Sequence, residues 1–270
     1  MKTELWFLLS AMAVGLSLAM TGAWFAQRRT GQSGWIDVTW SFAVGAAGAA
    51  LALVPLTDGR PLSARQILVA ALALAWSFRL AAHIAGRSLR SGEDPRYHAL
   101  KLEWGSGFSK RLFWFLQIQA ACAFLLSLTI FLAARNPAPF GQPQDFIGAA
   151  LHVGAIAGEA LADAALRKFR SDQNNKGRVC DRGLWGWSRH PNYFFEWLGW
   201  VAYAVIAIDF TGQWREGWLA LAGPLFMYWL LAHVSGVPPL ESHMLLSRGD
   251  AFRAYQKQVN VFFPGPRKRA

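Results

Sequence analysis

Long apolar stretches alternate with shorter polar segments along most of the chain. Seven of these stretches approach or exceed the roughly 20 apolar residues that an α-helix needs to cross the hydrocarbon core of a membrane. They lie at residues 5–26, 35–55, 64–85, 112–134, 146–166, 193–208 and 218–237. The pattern predicts an all-α, polytopic membrane helix bundle with about seven transmembrane helices. The sixth stretch is short, so six or eight crossings stay open.

Lysine and arginine residues are distributed unevenly between the connections. Of the 27 in the chain, 21 fall on one side of the predicted bundle and five on the other, with Arg79 inside a stretch. Because positive charge favours the cytoplasmic side, we expect the N-terminus outside and the C-terminus in the cytoplasm. Arg28 and Arg29 follow the first stretch, which favours an uncleaved anchor over a signal peptide.

The polar residues concentrate in two connections, 86–111 and 167–192, and in the tail, 238–270. We expect these segments in the cytoplasm and the chemistry on that side. No internal repeat or low-complexity segment interrupts the pattern, so residues 1–270 are interpreted as a single transmembrane domain.

Composition narrows the function classes. The chain is 54% hydrophobic and 16% charged, which is too apolar for an ordinary soluble domain, and its net charge is +11. The basic residues lie between apolar stretches, so a membrane surface explains them better than nucleic acid. The two cysteines have no CxxC partner, and neither a metal site nor a disulfide framework is predicted. No GxGxxG, P-loop or HExxH motif is present.

Ionisable residues inside the apolar stretches are candidate site residues, because a charge at membrane depth needs a partner or a water-filled cavity. Arg79, His83 and Arg87 share one helix face, with Arg90 close to the same line. Their arrangement predicts a basic stripe along this helix that binds an anion. Alternatively, Arg87 and Arg90 reach lipid headgroups while Arg79 pairs with a carboxylate.

Two further stretches carry acidic groups. His152, Glu159 and Asp163 share a face of the fifth stretch, where the carboxylates either pair with Arg79 or bind a ligand. Asp37, at the start of the second stretch, either complements a helix end or acts as a proton donor.

Segment 167–193 combines arginine, lysine and asparagine donors just before a helix that begins near Pro191. Donors at a helix N-terminus predict an anion site. Asn192, Tyr193 and Glu196 follow on one face of that helix and suit a nucleotide or nicotinamide group. The alternative is a basic belt attracted to acidic lipids.

One segment, 183–196, resembles the signature of bacterial membrane proteins of unassigned function that are grouped with the steroid 5α-reductases; it reads Gly-Leu-Trp-Gly-Trp-Ser-Arg-His-Pro-Asn-Tyr-Phe-Phe-Glu. Segments 90–97, 175–178, 235–241 and 249–255 resemble the same family. The wider superfamily includes sterol reductases and isoprenylcysteine and phospholipid methyltransferases.

The resemblance implies NADPH as cofactor. It gives the phosphates and adenosine to Asp163, Lys168, Arg170, Asn175, Arg178, Arg189 and Tyr255, and the nicotinamide end to Asn192, Tyr193 and Glu196. The further candidate cofactor residues are Arg87, Arg90, Tyr97, Trp187, His190 and Glu241.

The resemblance also implies a catalytic pair, a glutamate on the second span and a tyrosine on the third. The third stretch has no tyrosine. Asp37 is therefore the candidate for the glutamate's place, and His83 or Arg79 for the tyrosine's.

We expect an NADPH-dependent reductase of an activated C=C bond in a membrane-dissolved steroid or other lipid, in the bacterial inner membrane, with the active site facing the cytoplasm. The first alternative is an S-adenosylmethionine-dependent isoprenylcysteine or phospholipid methyltransferase. The second is a lipid-binding scaffold without enzymatic activity. The sequence leaves the lipid and the oligomeric state open.

Overall fold

The computed structural model describes residues 2–55, 61–91 and 94–268; the side chains of residues 2–3, 90–91 and 95 lie outside that description. Within these ranges the chain forms helices and connecting turns, with no strand. The α-helices are α1 (Lys2–Thr30), α2 (Gly34–Ala52), α3 (Ala64–Ser91), α4 (Pro95–Trp104), α5 (Phe108–Ala134), α6 (Pro143–Ser171), α7 (Pro191–Ala207), α8 (Ala222–Trp229), α9 (Val237–Arg248) and α10 (Asp250–Gln258).

The expected multi-pass helical architecture is confirmed, but with six candidate spans in the described chain rather than seven. They are Glu4–Thr30, Gly34–Ala52, Ala64–Leu89, Arg96–Ala134, Pro143–Ser171 and Arg215–Arg248. The predicted stretch 193–208 becomes α7, which has 17 residues. At 1.5 Å per residue it is about 25 Å long, short of the roughly 30 Å hydrocarbon core.

Helices extend far into the predicted connections. The segment 86–111 contains the end of α3, all of α4 and the start of α5. Asp94 caps α4 by accepting a hydrogen bond from the Arg96 backbone N–H at 2.9 Å. The predicted tail, 238–270, contains most of α9 and all of α10. Within the described residues, these polar segments therefore contain helices that position side chains at one end of the bundle.

Close helix pairs form the centre of the bundle: α2 packs along α3, and α6 packs along α7. A Cβ atom at Gly45 would collide with Ser77, and one at Gly148 would collide with Ile206. Glycine at these positions lets the helix backbones approach, as is typical of membrane helices. Large apolar side chains such as Leu18 on α1 are exposed on the outside, as expected for a surface that faces lipid.

The packing of the helix pairs defines the two ends of the bundle. Gly34, at the start of α2, lies against Ser88, near the end of α3, and α1 ends just before Gly34. The start of α7 lies at the same end, because Asn192 contacts Asp163 in the second half of α6 and Asp163 binds Arg79 of α3. This end is called here the polar end. At the opposite end, Arg65 of α3 binds Asp145 of α6 with Nε–Oδ1 and Nη2–Oδ2 distances of 2.6 and 2.9 Å. Both side chains are buried, at 3% and 0% exposure. This ion pair fastens α3 to α6 away from the polar end.

Candidate functional site

The start of α7 lies at the centre of the polar end. Pro191 occupies the first turn, where its missing N–H costs no helical hydrogen bond. The side chains of His190 and Asn192 reach two polar clusters, and a third cluster lies beside α2 and α4; the three are described in turn below. Sequence 189–193 is therefore the junction at which the candidate site is assembled.

The first cluster, called the acidic cluster, consists of Arg79 and His83 of α3, Glu159 and Asp163 of α6, and Glu196 of α7. Arg79 forms ion pairs with Glu159 and Asp163, the second at 3.2 Å. His83 Nε2 lies 3.5 Å from Asp163. The structure thus contains the ion pair between α3 and α6 that was one of the two alternatives predicted for Arg79.

Two α7 residues complete this cluster. Asn192 Nδ2 donates to Asp163 Oδ1 at 3.3 Å. Glu196 accepts hydrogen bonds from the indole N–H groups of Trp76, at 2.7 Å, and Trp200, at 3.0 Å. Two carboxylates of α6 therefore bind Arg79, and Glu196 of α7 binds Trp76, three residues before Arg79 on α3.

The hydrogen bonds of His83 define its tautomer. Its Nδ1 lies 3.0 Å from Nη1 of Arg167. A guanidinium can only donate, so Nδ1 is the acceptor and Nε2 carries the proton that points toward Asp163. His83 is therefore a neutral imidazole between an arginine and a carboxylate, at the edge of the cluster.

The second cluster, called the Asp37 cluster, links α2, α4 and α5. Asp37 forms an ion pair with Arg96. It also accepts a hydrogen bond of 3.0 Å from the hydroxyl of Tyr97. Gln119 Nε2 reaches the same hydroxyl at 3.5 Å. Asp94 binds Arg96 through both of its carboxylate oxygens, each at 3.0 Å.

Asp94 is the carboxylate of this cluster that binds two arginines, Arg87 and Arg96. Burial alone would raise the pKa of Asp94, but hydrogen bonds from Arg96 and the charges of Arg96 and Arg87 lower that pKa below its usual value. Arg87 donates to Asp94 at 2.9 Å. Arg87, predicted to bind an anion, thus contacts a carboxylate of the protein.

The three candidate catalytic residues lie in two different clusters of the structure. Asp37 contacts Tyr97, which the sequence assigned to cofactor binding, whereas Arg79 and His83 belong to the acidic cluster. A carboxylate–tyrosine pair therefore forms without a tyrosine in the third stretch. Sequence reasoning did not select Arg96 or Gln119; the stretch 90–97, which carries part of the family resemblance, was the signal that contained Arg96.

Tyr193 lies in the first turn of α7, beside Asn192. Its ring stacks on His190 with centroids 5.4 Å apart and planes 5° from parallel. Adjacent residues of one helical turn therefore reach the acidic cluster, through Asn192, and the segment before α7, through Tyr193.

The third cluster attaches the C-terminal segment to that turn. Arg189 donates to Glu241 at 2.7 Å and to the Val259 carbonyl at 2.6 Å. His190 Nε2 lies 3.0 Å from Glu241. The Tyr255 hydroxyl donates to the Trp185 carbonyl at 2.5 Å. Arg189, His190, Glu241 and Tyr255, all predicted cofactor residues, here join parts of the protein.

Burial lowers the pKa of His190, against the opposing effect of Glu241, which favours its protonated form. The side chain is therefore neutral near pH 7. Its Nδ1 is buried and has no hydrogen-bond partner.

A basic cleft of about 380 Å³ opens between the end of α6, segment 172–180 and α9. Its charged and amide side chains are four cations, one carboxylate and two amides: Arg170, Lys176, Arg178, Arg248, Asp172, Gln173 and Asn175. Arg170, Asn175 and Arg178 were predicted from the sequence. Lys176 and Arg248 were missed, although Lys176 lies inside the stretch 175–178 that carries the resemblance. Their charges suit a ligand with phosphate groups.

The other predicted residues lie outside the cleft lining. Trp187 is more than half exposed and borders a shallow depression beside Arg267. Lys168 is on the last turns of α6, where its carbonyl accepts a hydrogen bond from Ser171. The side chain of Arg90 lies outside the described residues. Among the residues that are described, no group of three His, Cys, Asp or Glu side chains could hold a metal ion.

Fold and site together define a multi-pass helical membrane protein with a charged site at one end of its bundle. The sequence model of a family described as "Protein of unknown function (DUF1295)" matches residues 23–259, and the chain belongs to this steroid 5α-reductase-like membrane family.

An uncharacterised protein of the fission yeast Schizosaccharomyces pombe is 31% identical over 102 residues. The aligned part is 36% of this chain and 27% of the yeast protein, so the chain spans about a quarter of that relative's length. No solved structure matches the chain.

Proposed function

We propose that the protein is an NADPH-dependent reductase of an activated C=C bond in a steroid or other membrane lipid. The observation that carries this proposal is the position of the basic cleft relative to the acidic cluster. Asp163 and Arg170 are seven residues apart on α6, about 10 Å along the helix axis. A dinucleotide can extend over that distance, with phosphates at one end and nicotinamide at the other.

The donor set fits this cofactor. Arg170, Lys176, Arg178 and Arg248 give the cleft four cations for phosphate groups. The Asn192 amide, which contacts Asp163, and the Glu196 carboxyl suit the ribose and the carboxamide of nicotinamide. S-adenosylmethionine carries no phosphate, so the cations of the cleft favour NADPH over the methyltransferase alternative.

NADPH supplies the hydride when bound. The protein's own contribution would come from the Asp37 cluster, since negative charge develops on the substrate's activating carbonyl oxygen during reduction. Asp37 forms an ion pair with Arg96 and accepts a hydrogen bond from the Tyr97 hydroxyl, which it orients. Rotation of that hydroxyl from Asp37 to the substrate oxygen would place a donor where the charge develops.

The proposal is tested by cofactor affinity in a cleft variant. Arg178 is exposed, so Arg178→Gln leaves the core intact. Loss of one charge-assisted contact weakens NADPH binding about tenfold, measured by nicotinamide fluorescence on the purified protein in detergent. Arg253→Gln, an exposed arginine on α10 paired only with Asp250, is the matched control and leaves the affinity unchanged.

Equal NADPH affinity in Arg178→Gln and the wild type would contradict the assignment of the cleft. Binding of S-adenosylmethionine in place of NADPH would support the methyltransferase instead.

A further inference from the structure

The last two helices, α9 and α10, form a small unit around a core of its own; residues 237–258 are called here the C-terminal cap. Six apolar side chains make up this core, the first three of them buried: Phe252, Tyr255, Val259, Val179, Met244 and Leu245. The cluster is separate from the larger core that joins the membrane helices. A unit with a small core of its own opens at a lower free energy than the rest of a protein.

A break in the helix separates the cap from α8. Residues Leu230–Val234 form a π-helical turn, after which the Ser235 N–H donates to the Leu230 carbonyl at 2.8 Å. Gly236 follows, and a Cβ atom at this position would collide with the Leu231 carbonyl oxygen. Helices bend at π-helical turns and at glycine. The chain therefore has a joint at the start of the cap.

The basic cleft lies on the seam between the cap and the bundle. Arg170 contributes to it from the end of α6 and Arg248 from the end of α9, with Lys176 and Arg178 in the segment between α6 and α7. Within the part of the chain that the structure describes, none of these four side chains forms an ion pair, and that of Arg248 donates to the Ser247 carbonyl. Four cations without a counter-ion thus line the seam.

Like charges on the two sides of a seam repel, and this repulsion opposes its closure. The carboxylate in the cleft lining, Asp172, already accepts hydrogen bonds from the Asn174 N–H at 2.9 Å and the Asn175 amide at 3.4 Å. A ligand with phosphate groups supplies the missing negative charge and accepts hydrogen bonds from guanidinium groups on both sides. Such a ligand binds the closed cap more tightly than the open cap, because closure brings Arg248 to the cleft.

The cap is also attached to the segment that begins α7. Glu241 of α9 accepts a hydrogen bond from Arg189 at 2.7 Å and lies 3.0 Å from His190 Nε2. The Arg189 backbone N–H donates to the carbonyl of Asn260, just after the cap, at 2.8 Å. Closure of the cap therefore fixes the residues immediately before Asn192, which contacts the acidic cluster.

We propose that a phosphate-bearing ligand in the basic cleft fastens the C-terminal cap to the bundle and thereby orders the start of α7. This rests on the proposed function in one respect, the identity of the ligand as NADPH. The linkage is reciprocal: the ligand stabilises the closed cap, and closure of the cap raises the affinity for the ligand.

Amide hydrogen exchange, measured by mass spectrometry on the purified full chain in detergent, tests the proposal. The ligands are inorganic pyrophosphate, NADPH and micelles that contain phosphatidylglycerol, each compared with sodium chloride at matched ionic strength. A ligand that binds only the closed cap, at ten times its Kd, slows exchange in residues 237–258 about tenfold. We expect this protection with pyrophosphate and with NADPH, extending to residues 185–190, while exchange in α2 stays unchanged.

Two arginine variants of the cap separate a specific contact from general screening of charge. Arg248 is exposed, so Arg248→Gln leaves the core intact, and it removes the cation that the cap contributes to the cleft. This variant loses most of the protection at the same ligand concentration. Arg253→Gln, an exposed arginine of the cap paired with Asp250, is the matched control and retains the protection. Equal protection in the two variants, or protection by sodium chloride, overturns the fastening.

The ligands distinguish this proposal from the proposed function. NADPH that binds, as shown by nicotinamide fluorescence, without slowing exchange in residues 237–258 overturns the fastening and leaves the proposed function standing. Protection by pyrophosphate without any binding of NADPH supports the fastening and overturns the proposed function. Protection by phosphatidylglycerol alone supports fastening by a lipid phosphate and contradicts the assignment of the cleft to NADPH. Absence of protection with every ligand overturns the fastening.

Discussion

Asp37 could be identified as a site residue from the sequence, whereas its contact with Tyr97 could not. Asp37 stands out in the sequence because a carboxylate interrupts an apolar stretch, and Arg79 stands out in the same way. Their partners do not, since the Tyr97 hydroxyl reaches Asp37 only when α4 lies beside the start of α2. A pairing of residues 60 apart has no local signal.

Tyr97→Phe separates catalysis from cofactor binding. The variant removes the donor that would face the substrate oxygen and keeps the ring, so it lowers the reduction rate about 100-fold while NADPH affinity is unchanged. The rate is measured as NADPH consumption with an enone steroid or unsaturated lipid that the wild type reduces. An unchanged rate in Tyr97→Phe would remove Tyr97 from the proposed chemistry.

Helices and their connections were less predictable than the apolar stretches. The segment 86–111 was expected as a connection, yet most of it is helical, because Asp94 and Pro95 begin a new helix after α3. The close pairing of α2 with α3 follows from glycines that the sequence displays. The contact between α3 and α6 depends on Arg65 and Asp145, both near the ends of stretches, where charge is ordinarily unremarkable.

Asp145→Asn destabilises the opposite end of the bundle. It leaves the buried Arg65 without its charged partner, which costs about 3–5 kcal/mol and lowers the thermal unfolding temperature. Thermal unfolding in detergent measures the effect, with Asp250→Asn as the exposed control. Replacement of both partners by apolar residues recovers part of the loss; an Asp145→Asn variant as stable as the wild type would mean that the pair contributes little.

His190 makes stability depend on pH. Its pKa is lowered in the folded protein by burial, so the folded state binds fewer protons than the unfolded state, in which the pKa is about 6.5. Stability therefore rises with pH through the interval below 6.5 and is lost on acidification. We expect the unfolding temperature of the wild type to fall more steeply than that of His190→Gln between pH 7 and 5.5. Parallel curves would exclude His190 as the cause.

The overall architecture could be predicted from the distribution of apolar residues along the chain. That distribution indicated a multi-pass helical bundle with its polar groups concentrated at one end. The number of candidate spans differed because α7 is shorter than a span and carries Glu196 on a buried face. The orientation, with the C-terminus in the cytoplasm, stays a prediction from the distribution of charge. The site could be predicted as a set of segments, but its division into three clusters depends on the packing of α3, α6 and α7.

Cofactor binding by the wild-type protein tests the central claim most directly. The purified protein in detergent is heated with NADPH, NADH or S-adenosylmethionine, because a ligand that binds only the folded state raises the unfolding temperature. We predict a rise with NADPH that exceeds the rise with NADH, and no rise with S-adenosylmethionine. A rise with S-adenosylmethionine alone would contradict the reductase and make the start of α7 part of a methyl-transfer site.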